Sequence, residues 1–278
     1  MLYQLSYTPA AARALGSEMS SGKALRRRMC YGPRAMHAPA VPTIPPEMLL
    51  LAYRSGIFPM ADGREDAEIF YVEPRRRAIL PLDAFRCSRS LAKLLRRERY
   101  RVTCNEDFAG VIAACAQPRP DHPETWISRR IETSYRAMHM AGYAHSLEVW
   151  DGQDLVGGLY GVGFDGVFCG ESMFSHADNA SKLALAWLVA AMKMARMQLL
   201  DCQFMTDHLA SLGAVEIGQD EYCERLARAQ AAGGVGAGEA VEAGDGAALG
   251  LPEGFALLVG AGASSPGKLI AQALTHTS

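Results

Sequence analysis

Two short segments place polar side chains where the surrounding residues predict buried strands. In GESMFS, Glu171 lies at the end of a predicted strand in which apolar residues alternate along the chain. A carboxylate near the centre of a sheet must be paired, hydrogen-bonded or neutral. Glu171 is therefore either a functional acid or a structural residue satisfied by a neighbouring backbone group or Arg, and the sequence leaves both interpretations open.

The second segment is DCQ, where Asp201 and Gln203 flank Cys202. Residues two apart on a strand project from the same face, so the carboxylate and the amide lie side by side. Such a pair facing a cleft is suited to hold an amine and relay its proton; the alternative is an ordinary hydrogen-bonded pair at a strand end. Cys202 points to the opposite face and is expected to be a small core residue.

A third cluster is cationic and suggests contact with phosphate groups. Between residues 88 and 101 six basic residues face one acid, Glu98, for a net charge of +5: Arg89, Lys93, Arg96, Arg97, Arg99 and Arg101. A concentrated positive patch on an otherwise acidic body is typical of nucleic-acid backbone binding. The alternative is a solvated helix face. Arg75, Arg76 and Arg77 are expected to extend this patch.

The composition limits the class of protein. The 278 residues include 28 Lys+Arg and 30 Asp+Glu, which excludes a wholly disordered chain and a uniformly basic coat for nucleic acid. Seven scattered cysteines without a C-x-x-C pair argue against zinc ribbons and disulfide frameworks and indicate a reducing compartment, the cytoplasm. No apolar run is long enough to span a membrane. The histidines lack metal-ligand spacing, so no metal site is expected.

Composition also divides the chain into four expected regions. Residues 1–40 form a basic leader, either disordered or a transit peptide, and residues 41–82 form a small N-terminal domain. Residues 83–229 form the main domain, and residues 230–278 form a Gly/Ala-rich tail. Within that tail, residues 231–263 are expected to be a linker, because so few large side chains cannot offset the entropy of ordering the chain. The terminal KLIAQALTHTS is expected to dock back on the body.

The periodicity of the main domain predicts an α+β fold with a mixed sheet and flanking helices. Helices are predicted in PPEMLLLAYRSG, SRSLAKLLRRERY, DFAGVIAACAQ and ISRRIETSYRAMHMAG. After Gly142 the period changes from 3.6 to 2, and residues 144–175 read as three antiparallel strands joined by DGQ and FDG turns. Asp178 or Asn179 then caps a long buried helix, followed by strand, helix, strand and helix.

This β-β-β-α-β-α-β order resembles the acyl-CoA N-acyltransferase superfold, called GNAT. Members of that superfold hold coenzyme A pyrophosphate on a glycine-rich turn before the long helix. Here the corresponding segment, FSHADNASK, has no glycine and presents Asp178. Coenzyme A is therefore disfavoured, and no cofactor is expected.

Several longer motifs resemble the leucyl/phenylalanyl-tRNA–protein transferases, in order from about residue 45 to residue 225. They are LLLAYRSGIFPMAD, TWIS, HSLEVW, LVGGLYGV, FCGESMFS, NASK, LDCQF and DHLASLGA. The resemblance implies a small N-terminal domain followed by a GNAT-like domain. It also implies transfer of Leu or Phe, sometimes Met, from aminoacyl-tRNA to proteins beginning with Lys or Arg, which marks them for degradation in bacteria. A monomer is the expected state.

The resemblance also implies roles for individual residues. Glu171 would recognise the acceptor protein or its amine, and Asp201 and Gln203 would relay the proton of the attacking amine. Trp126 and Tyr135 would bind the 3′ aminoacyl-adenosine end by stacking, and Tyr53 would line the same region.

Further positions match the family's pocket and its tRNA-binding surface. Leu159, Phe168 and Met173 would form the apolar pocket for the aminoacyl side chain, although plain core positions are compatible with the same pattern. Arg96 and Arg97, with Lys93 on the same helix, would contact tRNA. Met60 stands where many members have Trp, so part of the aromatic wall is altered.

Two alternatives to this function stay open. One is an aminoacyl-tRNA-dependent enzyme that forms a peptide bond with a different acceptor, such as a cell-wall peptide or a small amine. The other is a catalytically inactive tRNA-binding module.

Overall fold

The computed structural model describes residues 43–118, 124–233, 248–262 and 265–275. The expected basic leader lies outside these residues, as does most of the segment between the main domain and the C-terminal helices. Among the described residues, no helix has the length and apolar character needed to cross a membrane.

The N-terminal part is a helix followed by a two-stranded sheet. Helix α1 (Pro46–Arg54) has proline in its first turn, where the missing N–H costs nothing, and Glu47 close by favours the same helix end. Gly56, at φ +81°, turns the chain into strand β1 (Phe58–Met60), which pairs antiparallel with β2 (Phe70–Val72). The helix predicted here is confirmed.

A seven-stranded sheet forms the centre of the molecule, in the order β4-β5-β6-β7-β8-β3-β9. Its strands are β3 (Arg76–Ile79), β4 (Arg101–Cys104), β5 (Ala144–Asp151), β6 (Asp154–Phe164), β7 (Val167–Ser175), β8 (Leu199–Gln203) and β9 (Val215–Gly218). Among these described strands, only β7 and β8 pair in parallel. Because β3 lies between β8 and β9, the sheet includes a strand from before the expected boundary at residues 82/83.

The predicted meander is confirmed, and its turns follow from the residue types. Asp165 and Gly166 both adopt positive φ, +42° and +76°, as a type I′ turn between antiparallel strands requires. The edge strand β4 was not anticipated, since RVTC is too short to show a period.

Helices cover both faces of the sheet. A short 3-10 helix lies at Leu82–Ala84. The α-helices that follow α1 are α2 (Arg89–Arg97), α3 (Phe108–Cys115), α4 (Arg129–Met140), α5 (Ala180–Met194), α6 (Asp207–Ser211), α7 (Gln219–Gly233), α8 (Leu251–Gly262) and α9 (Pro266–Thr275). Helices α2, α5, α8 and α9 share one apolar core, here called the α5 core. Helices α1, α3, α4 and α7 share the core on the opposite face, the α4 core. The predicted α+β class is confirmed.

Helix α5 is buried almost all round, as its apolar residues predicted. Its expected cap is only partly right. Asn179 occupies the N-cap position at φ +62°, but its side chain makes no capping hydrogen bond. The backbone N–H of Ser181 instead donates to Ser175 Oγ at 3.1 Å, so a residue from the preceding strand satisfies the helix end.

The linker prediction is wrong for residues 251–262, which form α8. Small residues there allow close helix packing: a Cβ on Gly254 would lie 2.3 Å from the carbonyl oxygen of Ala191 in α5. The ring of Phe255 lies 5.5 Å from that of Trp187. The expected docking of the C-terminal segment is confirmed, since Ile270 of α9 is fully buried in the α5 core. Helices α8 and α9 are called the C-terminal hairpin below.

Candidate active site

A β-bulge in β7 brings Glu171 to the α4 core. Tyr160 of β6 pairs with Ser172, while Gly161 pairs with Gly170, so Glu171 is an extra residue without a partner across the ladder. Bulges re-aim side chains and are common next to active sites. Glu171 therefore lies inside β7, not at its end as the sequence suggested.

Hydroxyl and amide groups surround the Glu171 carboxylate, which is only 3 % exposed. Tyr135 donates its hydroxyl hydrogen bond to Oε2 at 3.1 Å, and Gln203 Nε2 donates to Oε1 at 3.2 Å. The Tyr53 hydroxyl bonds to that of Tyr135 and extends the network to α1. Burial disfavours the charged carboxylate and raises the pKa of Glu171 to about 8.

The strands β7 and β8 stop pairing next to this carboxylate. Their parallel ladder ends at Cys169 and Asp201, and Gln203 follows two residues later in a left-handed conformation, φ +56°. The Gln203 backbone N–H donates to Asp201 Oδ1 at 2.9 Å. Since β7 and β8 no longer pair beyond this point, Glu171 and Gln203 stand where the two strands part.

Asp201 is fully buried in an ion pair with Arg77 of β3. The guanidinium donates from Nε to Oδ1 at 2.9 Å and from Nη2 to Oδ2 at 2.6 Å, a bidentate contact. Tyr222 of α7 donates a further hydrogen bond to Oδ2 at 3.0 Å. With the Gln203 N–H included, both oxygens of Asp201 already accept two hydrogen bonds each.

Arg77 also connects this site to the N-terminal part. Its Nη1 donates to the carbonyl oxygen of Gly56 at 2.9 Å, and its guanidinium lies 4.8 Å from the ring centre of Phe58 and 4.2 Å from that of Tyr222. Burial opposes the charge on Arg77, but the attraction of Asp201 outweighs it and raises its pKa. The expectation that Arg77 extends the cationic patch is wrong, because a buried partner neutralises it.

The exposed cations lie on α2, capped by Ser88, whose Oγ accepts from the Leu91 N–H. Lys93, Arg96 and Arg97 are exposed and have no ion pair among the residues that the structure describes. The two basic residues that follow α2 are paired: Arg99 with Asp151 and Arg101 with Glu106. The free positive charge is therefore smaller than the sequence count of +5 and is concentrated on the helix.

Comparison with known proteins places both parts of the chain in one family. Residues 79–227 match the model of the leucyl/phenylalanyl-tRNA protein transferase, and residues 43–75 match the model of its N-terminal domain. The chain belongs to this family. The resemblance read from the sequence is confirmed, and so is the domain order, small N-terminal unit first.

Named relatives agree with this family. A leucyl/phenylalanyl-tRNA–protein transferase of Novosphingobium aromaticivorans is 59% identical over 255 residues, 84% of this chain and 97% of that protein. Transferases of the same name from Zymomonas mobilis and a Ruegeria species are 55% and 54% identical over 66% and 67% of this chain and 68% and 87% of theirs. The solved structure of L-PGS from Bacillus licheniformis is 13% identical over 59% of this chain and 55% of that one, with a TM-score of 0.32, too low to support an inference.

The three aromatic residues implied by the resemblance differ in their exposure. Tyr53 and Tyr135 are buried, at 1 % and 0 % exposure, and Tyr135 meets Tyr160 edge to face. Their rings therefore offer no open face for stacking on a base, and their hydroxyls point into the Glu171 network. Trp126 is partly buried at the margin of the α4 core and keeps some of its surface exposed.

The three residues expected to form the aminoacyl pocket lie in the α5 core, on the opposite face of the sheet from Glu171. Leu159 and Met173 are cross-strand partners on β6 and β7, and Phe168 shares their core. Exposures of 2 %, 4 % and 0 % show that these side chains are packed.

The sequence did not predict that Arg77 and Tyr222 contact Asp201. Arg77 belongs to a run of three arginines, which is typical of an exposed segment. Its position two residues before the buried Ile79, on the same strand face, is the signal for burial. Tyr222 lies one helical turn before the buried Leu226 on α7, a spacing that signals an inward face. Within the described parts of the chain, no three His, Cys, Asp or Glu residues are grouped to hold a metal ion.

Proposed function

We propose that this protein transfers a leucyl or phenylalanyl group from tRNA to the N-terminal α-amine of proteins that begin with Lys or Arg, in the cytoplasm. The modified protein is then marked for degradation by its new N-terminal residue. The observation that carries the proposal is the Glu171–Gln203 pair, held where β7 and β8 part, in a chain of this family.

The reaction needs little beyond orientation and proton removal. The acceptor arrives as an ammonium ion and loses one proton before its nitrogen attacks the ester carbonyl carbon. A C–N bond forms, the C–O bond to the terminal ribose breaks, and the ribose oxygen leaves with a second proton from the nitrogen. Since the ester is already activated, no ATP is consumed, and positioning of the two substrates lowers the barrier by several kcal/mol.

Glu171 is the proton acceptor in this proposal. Its pKa of about 8 matches the range of a protein α-amine, about 7.7–8.0, so that proton transfer between them is nearly balanced. The approach of an ammonium ion also favours the ionised carboxylate. The hydroxyl of Tyr135 and the amide of Gln203 hold the carboxylate in place while it exchanges the proton.

Asp201 acts as a positioning residue in this scheme and does not itself carry the proton, in contrast to the relay role that the sequence suggested. Arg77, Tyr222 and the Gln203 N–H already occupy its oxygens. Through that last hydrogen bond Asp201 fixes the left-handed turn at Gln203. The side-chain oxygen of Gln203, Oε1, then orients the amine by accepting a hydrogen bond from one of its N–H groups.

In this scheme the aminoacyl group reaches the site where the pairing of β7 with β8 ends. Its side chain displaces packed residues of the α5 core, for which Leu159, Phe168 and the flexible Met173 are suited. Trp126 provides the partly exposed aromatic surface for the terminal adenosine. The cationic face of α2, with Lys93, Arg96 and Arg97, contacts the tRNA backbone.

A transfer assay with labelled leucine tests this proposal. The purified protein is incubated with Leu-tRNA and with peptides that start with Lys, Arg, Asp or Ala but are otherwise identical. We expect label on the Lys and Arg peptides and none on the other two, and no transfer from free leucine.

The same assay separates the alternatives. Label on all peptides, or on small amines only, points to an enzyme with a different acceptor. Bound tRNA without label on any peptide points to an inactive tRNA-binding module and contradicts the proposed reaction.

A further inference from the structure

The cationic helix α2 ends in a carboxylate that the C-terminal hairpin holds. Glu98 follows the helix in a left-handed conformation, φ +48°, and its Oε1 accepts a hydrogen bond from the Gly267 N–H at 2.8 Å. Gly267 is the second residue of α9, so Glu98 satisfies one of the unpaired N–H groups at the start of that helix. The C-cap residue of the cationic helix is thus bonded to a segment outside both family-model matches.

The fit between the two elements depends on glycine at position 267. A Cβ there would lie 2.3 Å from the carbonyl oxygen of Leu95 and 3.0 Å from Cγ of Glu98. The atom in the way is a backbone oxygen in the last turn of α2, so it cannot move aside unless the helix itself shifts. The buried Ile270 and Leu274 hold the rest of α9 in the α5 core beside Leu95.

The contact has an electrostatic consequence for α2. Glu98 is the only acid between residues 88 and 101. The N-terminus of a helix carries roughly half a positive charge, which offsets a carboxylate bonded to it. A released Glu98 would instead lie next to Arg97 and compete with phosphate for the same cations.

We propose that the C-terminal hairpin is a functional part of the tRNA-binding surface, because α9 binds Glu98 and so keeps the basic face of α2 free of an internal counter-charge. This inference rests on the proposed role of α2 in tRNA binding. The hairpin then sets the affinity for tRNA without contacting the reacting groups.

A double-mutant cycle in the full-length protein tests the inference. The variants are Gly267→Val, which forces the start of α9 away from α2, Glu98→Gln, which removes the charge, and the combination of both. Binding of Leu-tRNA is measured at several salt concentrations. Gly260→Val is the matched control, since a Cβ at Gly260 of α8 meets no atom within 4 Å.

We expect Gly267→Val to weaken tRNA binding by about five- to tenfold and to lower the salt dependence of the affinity, as fewer cations remain for phosphate. Glu98→Gln in the same chain is expected to restore the affinity to within about twofold of the wild type. A purely structural role for α9 would give a loss that Glu98→Gln does not rescue, and that result overturns the proposal. Unchanged binding in Gly267→Val overturns it as well.

Two checks keep the outcome interpretable. Transfer from a minimal donor, an aminoacyl ester of adenosine without the tRNA body, reports whether the active site of each variant is folded. If Gly267→Val is not folded by this measure, Gly267→Ala carries the same cycle with a smaller displacement. If an Arg96→Ala/Arg97→Ala variant binds tRNA like the wild type, the proposed role of α2 fails instead.

Discussion

The site around Glu171 and the surface of α2 both carry charged groups, but they pair them in opposite ways. Inside the protein, the Asp201 carboxylate has a bidentate guanidinium, a phenol and a backbone N–H as partners. On α2, Lys93, Arg96 and Arg97 face solvent without an ion pair within the described ranges. The fold thus neutralises the buried charge of Asp201, whereas the charges of Lys93, Arg96 and Arg97 are available to a ligand.

The difference separates stability from binding. Removing one partner of a buried ion pair leaves an uncompensated charge and strongly destabilises a protein, whereas an exposed charge contributes little to folding. Substitutions at the buried site are therefore expected to change folding and activity together. Substitutions on α2 are expected to change tRNA affinity alone.

The largest effect is expected for Arg77→Met, which leaves Asp201 buried without its guanidinium. We expect the free energy of unfolding in urea at pH 7 to fall by about 3–5 kcal/mol and peptide transfer to fall at least about tenfold. The double variant Arg77→Met/Asp201→Leu is the control: it is expected to regain part of the stability and none of the activity. An Arg77→Met protein as stable as the wild type would show that the ion pair is not a structural element.

The next effect is expected for Glu171→Gln, which keeps the shape of the side chain and removes the proton acceptor. Transfer at pH 7 is expected to fall by about ten- to a hundredfold. The difference should narrow above pH 8, where the acceptor α-amine is itself mostly deprotonated. Initial rates from pH 6 to pH 9 measure this.

Ser172→Ala is the matched control for Glu171→Gln. The Ser172 hydroxyl is buried on the same strand and has no hydrogen-bond partner in the described structure, so its loss is expected to leave the rate within about threefold. A pH-independent loss in Glu171→Gln would contradict the proton-accepting role and favour a role in substrate binding.

A smaller effect, confined to binding, is expected for Lys93→Ala/Arg96→Ala/Arg97→Ala. The free energy of unfolding should stay within about 0.5 kcal/mol per substitution of the wild type, as is usual for exposed positions. The affinity for Leu-tRNA should fall, and the slope of log affinity against log salt should become shallower by about 2–3 units. A marked loss of stability with unchanged slope would contradict the division between the two regions.

The smallest effect is expected for Arg99→Ala. Arg99 is exposed but already pairs with Asp151 at 2.7 Å, so its charge is less available to phosphate. Surface pairs of this kind contribute about 0–1 kcal/mol. We expect a smaller change in tRNA affinity than in Arg96→Ala, compared in the same buffer; equal losses would show that the ion pair opens when tRNA binds.

Much of the main domain could be predicted because its patterns are long and regular. The two-residue period of β5 to β7 predicted strands, and the apolar residues on all sides of α5 predicted a buried helix. Glu171, Asp201 and Gln203 stood out as polar residues in apolar strands. The hydrogen bond from Gln203 to Glu171 joins two of these positions that lie 32 residues apart in the sequence.

Other features depend on long-range contacts that no local pattern encodes. The bulge at Glu171 appears only in the pairing of β6 with β7, and the partner of Asp201 lies 124 residues away. Helix α8 of the hairpin was wrongly predicted as a linker, because Gly and Ala are as typical of close helix packing as of flexible linkers. Gly254 and Gly267 lie against neighbouring backbone, which only the folded chain supplies.

The left-handed conformation of Gln203 has a consequence for the evolution of this protein in the laboratory. A residue with a Cβ pays roughly 1 kcal/mol or more for that conformation, whereas glycine adopts it freely. The backbone at position 203 therefore favours glycine, whereas the proposed transfer reaction uses the glutamine amide. A library selected for thermal stability alone is expected to replace glutamine at this position and to yield more stable but inactive proteins. Selection therefore has to include catalytic turnover from the first round.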